Sequence, residues 1–187
     1  MPKIVDHELR RSQISERSLN LFAEHGYATL SMRRLASSIG VTTGMLYHYF
    51  PSKQSLLSEA FRQVRARDIR IVQRLIRNQQ GYDRSNPELA VRLLASFVVD
   101  NGARLAGLLQ IGMDVRRVEP RNPIVIETVE DYRRALKDIF GIDDGNAHAA
   151  LWILFGCITE TVLGGEVDSE LVFMALSRVL LPSSVVA

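Results

Sequence analysis

Apolar residues recur along most of this chain three or four positions apart, the spacing that places them on one face of a helix. No segment shows the strict alternation that is typical of a half-buried strand. The pattern predicts an all-α fold of about nine helices, without internal repeats, over residues 8–25, 32–39, 43–49, 52–79, 88–106, 108–117, 124–140, 147–163 and 168–181.

Small and polar residues mark the ends of the first helices. Gly26 and Gly40 each follow a predicted helix, at the position where a left-handed backbone favours glycine. Ser31, Thr42 and Ser52 each precede one, which predicts three N-caps. The first 60 residues therefore form short helices with sharply defined ends.

The two short helices 32–39 and 43–49 are separated by a brief turn at Gly40 and Val41, and this predicts a helix-turn-helix. The apolar side chains should pack between the two helices: Leu35, Ala36, Ile39, Leu46 and Phe50. The opposite face of the second helix carries small, hydroxyl and imidazole groups: Thr43, Gly44, Tyr47 and His48. Such a face suits the major groove of DNA.

Charge is unevenly distributed although the formal net charge is only +2. Residues 1–80 hold 13 Lys and Arg against 6 Asp and Glu, whereas residues 81–187 hold 10 against 15. A basic first part indicates an anionic partner there, with chance clustering of solvated charges as the alternative. Four arginines repeat at helical spacing on helix 52–79: Arg67, Arg70, Arg74 and Arg77. They are interpreted as a solvated or ion-paired face, or as an interdomain contact, because Arg77 lies about 36 Å along the axis from Lys53.

The sequence carries no signature of an enzyme, a metal centre or a membrane span. It lacks a phosphate-cradling glycine loop, and its four histidines lack the spacing of metal ligands, so we expect no catalytic residue, metal or cofactor. The apolar run 149–163 is too short to cross a membrane and contains Glu160. The single Cys157 excludes an internal disulfide, and no secretory signal is visible, so a cytoplasmic location is expected.

The stretch SMRRLASSIGVTTGMLYHYFPSKQSLL, with SERSLNLFAEHGYATLS before it, resembles the signature of the TetR family of transcriptional regulators. The resemblance covers about residues 8–60 and includes Gly-x-Leu-Tyr-x-Tyr-Phe and a lysine three residues after Phe50. It implies a DNA-binding head over 8–55, with its recognition motif at 31–50, and a ligand-binding and dimerisation domain over 56–187. Helix 52–79 would connect the two domains and act as the lever between them. The polar stretch QGYDRSNP at 80–87 is interpreted as a linker.

The resemblance also implies which residues contact DNA. Residues at the ends of the motif would contact phosphates, and residues at the start of the recognition helix would contact bases. The predicted DNA-contacting residues are Ser31, Arg33, Thr42, Thr43, Gly44, Met45, Tyr47, His48, Tyr49 and Lys53. Core packing of the tyrosines and solvation of Arg33 and Lys53 are the alternatives, and His48 contacts either phosphate or solvent. Thr43 and Met45 stand where many relatives have lysine and threonine, so the operator sequence cannot be inferred from relatives.

The resemblance implies a small-molecule pocket enclosed by the helices after the linker, and a dimer interface formed by the last two helices. Candidate pocket residues, for which simple core packing is the alternative, are Phe97, Leu105, Met113, Trp152 and Phe155. The last two helices are apolar around most of their circumference, which indicates a subunit interface that includes Leu151, Leu154, Ile158, Val162, Leu171, Val172, Ala175, Leu176 and Val179.

The sequence thus predicts a homodimer that binds a palindromic double-stranded DNA operator, represses transcription and is released by an unknown small molecule. Two other functions stay open. One is a ligand-independent architectural or nucleoid-associated protein, and the other is a helical small-molecule carrier whose head no longer binds DNA.

Overall fold

A computed structural model describes residues 3–77 and 87–181. The described residues form helices only, which confirms the predicted all-α class: α1 Lys3–His25, α2 Met32–Ile39, α3 Thr43–Tyr49, α4 Lys53–Arg77, α5 Pro87–Asp100, α6 Gly102–Val118, α7 Ile124–Phe140, α8 Asp144–Val162 and α9 Ser169–Leu180. The predicted linker lies outside the described residues except for Pro87, which begins α5.

The predicted break near residue 107 is wrong. The chain leaves helical geometry at Asn101 instead, where the side-chain amide of Asn101 donates a 2.8 Å hydrogen bond to the carbonyl of Phe97. Gly107 lies inside α6, where a glycine costs about 1 kcal/mol relative to alanine but does not end a helix. α8 begins earlier than predicted because Asp143 is its N-cap, accepting a 2.8 Å hydrogen bond from the amide of Asn146.

The contacts divide the chain into two compact units. The first contains the described residues up to Ala66 together with Gln110–Thr128, and the second contains Arg67–Leu109 and the described residues from Val129. The assignment of DNA binding to 8–55 and of ligand binding to 56–187 stays a prediction, because this division concerns contacts alone.

The first unit is built around fully buried side chains from α1 to α4. Its largest ones are Ile14, Phe22, Tyr27, Leu35, Leu46, Phe50, Leu56 and Leu57. Arg17 of α1 donates a hydrogen bond to the carbonyl of Ile39 at the end of α2. This carbonyl has no partner within its own helix, so α1 supplies one.

The second unit has a separate core in which α5 and α8 both pack on α9. Val91, Ala150 and Leu176 are completely buried there. One charged group is enclosed in this unit: Asp68 is 2 % exposed and contacts Arg104 and Tyr132. No helix among the described residues has both the length and the apolar content that a membrane span requires.

Candidate nucleic-acid interface

The turn between α2 and α3 depends on a glycine. Gly40 has φ +80°, in the left-handed region, and its amide donates to the carbonyls of Ala36 and Ser37. The amide of Val41 also donates to Ala36, which completes a hydrogen-bonded end to α2. A residue with a Cβ would be strained at this φ, so Gly40 fixes the turn of the helix-turn-helix.

The three predicted N-caps are confirmed. The hydroxyl of Ser31 accepts from the amide of Arg34 at 3.3 Å, and that of Thr42 accepts from Met45 at 3.1 Å. The hydroxyl of Ser52 accepts from Ser55 at 3.0 Å. Since a hydroxyl that accepts one hydrogen bond keeps its own proton, Ser31 and Thr42 can still donate to a phosphate oxygen.

α3 has one buried side and one open side. Leu46 is completely buried on α2 and Phe50, the residue that ends the helix, is buried as well. The open side carries the residues predicted to reach DNA: Gly44, Met45, Tyr47 and His48 are exposed, and Thr43 and Tyr49 are half-buried. Ser31, Arg33 and Thr42 are also exposed. The burial pattern is therefore compatible with the predicted contacts, which stay predictions.

Lys53 is held inside the first unit. Its Nζ donates a 2.9 Å hydrogen bond to the carbonyl of Tyr27 and lies 4.1 Å from the centroid of the Tyr27 ring. Burial lowers the pKa of Lys53, while the carboxylates of Glu119 and Asp114 act in the opposite direction. An ammonium group has three protons to donate. The contact with Tyr27 therefore leaves Lys53 able to bind a phosphate as predicted, from a fixed position.

The end of α6 contacts the turn that follows α1. The phenol of Tyr27 donates to Glu119 at 2.7 Å, and the amide of Ala28 donates to Asp114 at 3.0 Å. Burial and the hydrogen bond to Glu119 raise the pKa of Tyr27 above its usual range. The Ala28 amide holds the pKa of Asp114 below its usual value. These contacts were not predicted from the sequence, because the partners are 92 and 86 residues apart.

We expect Asp114→Ala to destabilise the protein by about 1 kcal/mol at neutral pH, because the Ala28 amide loses a charged acceptor. A carboxyl whose pKa is lowered on folding stabilises above its unfolded pKa and loses that effect as pH falls through its folded pKa. The difference between variant and wild type should thus shrink below about pH 4. Urea unfolding at several pH values measures this difference in the free energy of unfolding, with Asp138→Ala, at an exposed aspartate, as the control. If Asp114→Ala lowered the free energy of unfolding equally at neutral and acid pH, the contact would not depend on charge.

The first half of α1 lies against the end of α3, a contact that was not predicted because its partners are far apart in the sequence. Arg11 donates a 2.7 Å hydrogen bond to the carbonyl of Tyr49 and lies 4.5 Å from the centre of the Phe50 ring. One turn earlier, the ring of His7 lies 4.7 Å from that of Tyr49. The continued helical spacing of His7 and Arg11 was the available signal.

The five predicted pocket residues occupy different settings. Phe97 is buried in the core of the second unit, and Leu105 and Phe155 pack against that core. Trp152 is 72 % exposed, and Met113, which belongs to the first unit, is 52 % exposed. The small-molecule pocket therefore stays a prediction.

A groove of about 430 Å³ lies in the first unit, and polar side chains line it. They come from α4 and the start of α7: Ser52, Gln54, Ser55, Ser58, Glu59, Arg62, Arg65 and Glu127. Its lining shares no residue with the predicted apolar pocket. No set of three or more His, Cys, Asp and Glu side chains is arranged to hold a metal ion within residues 3–77 and 87–181.

The predicted interface residues differ in burial and form three groups. Leu151, Val172 and Leu176 lie in the core of the same chain, while Leu154, Ile158, Val162, Ala175 and Val179 are half-buried. Leu171 is 61 % exposed, beside other exposed apolar residues of these helices: Trp152, Leu163 and Met174. An interface on α8 and α9 stays a prediction, and the exposed and half-buried residues of these helices, rather than the buried ones, have the surface to form it.

Sequence comparison with known proteins gives matches over part of the chain. Residues 14–60 match the family model of bacterial regulatory proteins, tetR family. The HTH-type transcriptional regulator PksA of Bacillus subtilis is 41 % identical over 64 residues, which are 34 % of this chain and 31 % of PksA. The HTH-type transcriptional repressor AcnR of Corynebacterium diphtheriae is 36 % identical over 74 residues, 38 % of this chain and 39 % of AcnR. The matched segments thus span about a third of each relative's length.

Solved structures match over nearly the whole chain. The transcriptional regulator SCO7518 of Streptomyces coelicolor A3(2) has a TM-score of 0.73 at 24 % identity, covering 92 % of this chain and 99 % of that one. The fatty acid degradation regulator FadR of Bacillus halodurans has a TM-score of 0.71 at 17 % identity, covering 92 % and 95 %. The multidrug binding protein EbrR, complexed with malachite green, has a TM-score of 0.67 at 21 % identity, covering 92 % and 99 %.

The fold is thus that of a helix-turn-helix head followed by a helical domain. With the matching family model and the relatives above, it confirms the resemblance to the TetR family that is seen in the sequence.

Proposed function

We propose that this chain is a DNA-binding transcriptional regulator that binds a palindromic operator as a homodimer and is released from it by a small molecule. The open face of α3 is the observation that carries this proposal. An imidazole, a phenol and a glycine are exposed on α3, while Leu46 on its other face is completely buried. A polar helix of this kind can contact the edges of the bases in the major groove, while hydrogen-bond donors around it bind the phosphates and hold it in position.

The residues around α3 supply donors on both of its sides. Ser31 and Arg33 lie at the start of α2, and Lys53 lies in the first turn of α4. Contacts of this kind go mainly to phosphate and position the protein, whereas Thr43, Gly44 and Met45 open α3 and would face the bases. Such a regulator acts in the cytoplasm, where it has access to DNA, and by binding rather than by catalysis.

Selection of genomic fragments by the purified protein tests the proposal. Fluorescence anisotropy of the best fragment at several salt concentrations then gives its affinity and salt slope. We expect a palindromic site bound about 10³-fold or more tightly than random DNA, with affinity falling steeply as salt rises. Binding without any enriched sequence would favour the architectural alternative, and no binding at low salt would favour the carrier.

Structural relatives support the proposed small-molecule effector. EbrR is a multidrug binding protein with malachite green bound, and FadR is a regulator of fatty acid degradation. A small molecule releases the operator only if it binds the DNA-free conformation more tightly than the DNA-bound one. Products of genes beside the recovered operator provide the first compounds to test for such release.

The proposed dimer predicts that a charge on the exposed face of α8 separates the subunits. Trp152→Glu places a carboxylate at a side chain that is 72 % exposed in the single chain and would be desolvated in the dimer. We expect a monomer by sedimentation velocity and about 100-fold weaker operator binding, because one head contacts only a half-site. Leu75→Glu, at an exposed leucine of α4, is the matched control. A dimeric Trp152→Glu variant would place the interface elsewhere.

A further inference from the structure

The strongest unassigned feature is a cluster of three rings where α1 meets the end of α3. The ring centroid of His7 lies 4.7 Å from that of Tyr49 and 5.9 Å from that of His48. His48 and Tyr49 themselves are 5.4 Å apart. Both imidazoles are exposed and Tyr49 is half-buried. Two histidines from distant parts of the sequence thus lie side by side on the surface that carries the recognition helix.

The position of His7 is fixed by contacts on the same face of α1. Arg11, four residues later, donates to the carbonyl of Tyr49 at 2.7 Å and lies over the Phe50 ring. Ser15, four residues further, is fully buried and donates to Gln63 of α4 at 2.9 Å. This face of α1 is therefore anchored to both α3 and α4. The His7 imidazole consequently keeps its place relative to the recognition helix.

The carboxylate that α4 presents on this side of the head is engaged by other side chains. Glu59 accepts from Arg62 at 2.6 Å and from Gln63 at 2.7 Å, with Arg11 at 4.0 Å. These interactions lower the pKa of Glu59. Among the side chains that the structure describes, Glu8 and Arg10 lie within three residues of His7 on α1, and Tyr47 and Tyr49 flank His48 on α3. Arg11, which donates to the carbonyl of Tyr49, adds a cation beside the two imidazoles.

We propose that His7 belongs to the DNA-contacting surface and that His7 and His48 together take up protons when DNA binds, so that affinity rises as pH falls. This inference rests on the proposed function. Histidine is the side chain that ordinarily changes charge between pH 5 and 8. A nearby phosphate favours the protonated imidazole, because the opposite charge stabilises it. Affinity for DNA should therefore rise as pH falls.

The test is the pH dependence of operator affinity, measured by anisotropy at constant ionic strength with the full chain. Wild type should bind about tenfold more tightly at about pH 6 than at about pH 8, with each of the two imidazoles contributing about threefold. His7→Gln should retain about a threefold change, and His7→Gln/His48→Gln almost none. Titration calorimetry in two buffers of different ionisation enthalpy should show fewer protons taken up by His7→Gln than by wild type.

His25→Gln is the matched control, because His25 is an exposed histidine at the opposite end of α1. It should keep the full tenfold dependence. A purely structural role of His7 would lower the melting temperature and weaken binding equally at both pH values, and that result would overturn the proposal. So would a tenfold dependence that His7→Gln leaves unchanged. Failure of the proposed function is distinct: it appears as no preference for the selected sequence at either pH, and it would overturn both.

Discussion

Gly44→Leu should abolish operator recognition while leaving the protein folded. Gly44 lies in the first turn of α3 with ordinary helical φ, and a Cβ built on it meets no atom within 4 Å. Leucine is also a better helix former than glycine by about 1 kcal/mol. On DNA the same open space would be filled by the groove, so a leucine there holds the helix away from the bases.

We expect the affinity of Gly44→Leu for the operator to fall about 100-fold or more, to the level of random DNA, since phosphate contacts alone do not discriminate sequence. Anisotropy measures the affinity, and circular dichroism should give a melting temperature no lower than that of wild type. Ala103→Leu, at an exposed residue of α6, is the control and should bind normally. Near-normal recognition by Gly44→Leu would show that this end of α3 does not enter the groove.

Arg104→Leu should cause the largest loss of stability among these variants. The carboxylate of Asp68 is 2 % exposed, and it lies 2.9 Å from Nη2 of Arg104 and accepts a 2.9 Å hydrogen bond from the phenol of Tyr132. Removing the arginine leaves a buried charge without its counter-ion, which costs about 3 kcal/mol or more. Denaturant unfolding followed by far-ultraviolet circular dichroism measures this change.

The double variant Asp68→Leu/Arg104→Leu separates the two causes of that loss. If the buried charge is responsible, replacing both partners should recover most of the stability, because no ion is then left unpaired. Arg134→Leu, which breaks the exposed Arg134–Asp131 pair at 3.1 Å, should change stability little. A double variant as unstable as Arg104→Leu would mean that the packing of the arginine stem, rather than its charge, dominates.

Local features of the head were predictable because their causes lie within a few residues. Ser31, Thr42 and Ser52 cap helices through amides three positions further on, and Gly40 adopts the left-handed φ that its place after a helix indicates. Each depends on the identity of one side chain. The error near residue 107 has the same origin, because a glycine inside a helix resembles a glycine that ends one.

Contacts between distant residues were not predictable in this way. Nothing in the sequence near Tyr27 identifies Glu119 as its partner, because that contact exists only once the helices have packed. Periodicity likewise could not separate two kinds of apolar residue on α8 and α9. Leu176 faces the core of its own chain while Leu171 is exposed, although both belong to the same apolar helix. Only three-dimensional packing distinguishes a residue that is already covered from one that still needs a partner.

The shortness of α2 and α3 has a consequence for any attempt to transfer DNA recognition to another protein. They contain 8 and 7 residues, whereas an isolated helix needs about 12–15 residues even to be marginally stable in water. Their helical form therefore depends on Leu46 and Phe50 being buried and on α1 lying against them. A synthetic peptide of α3 would be unstructured, so the smallest portable unit of recognition is the whole packed head, including the N-terminal turns of α1.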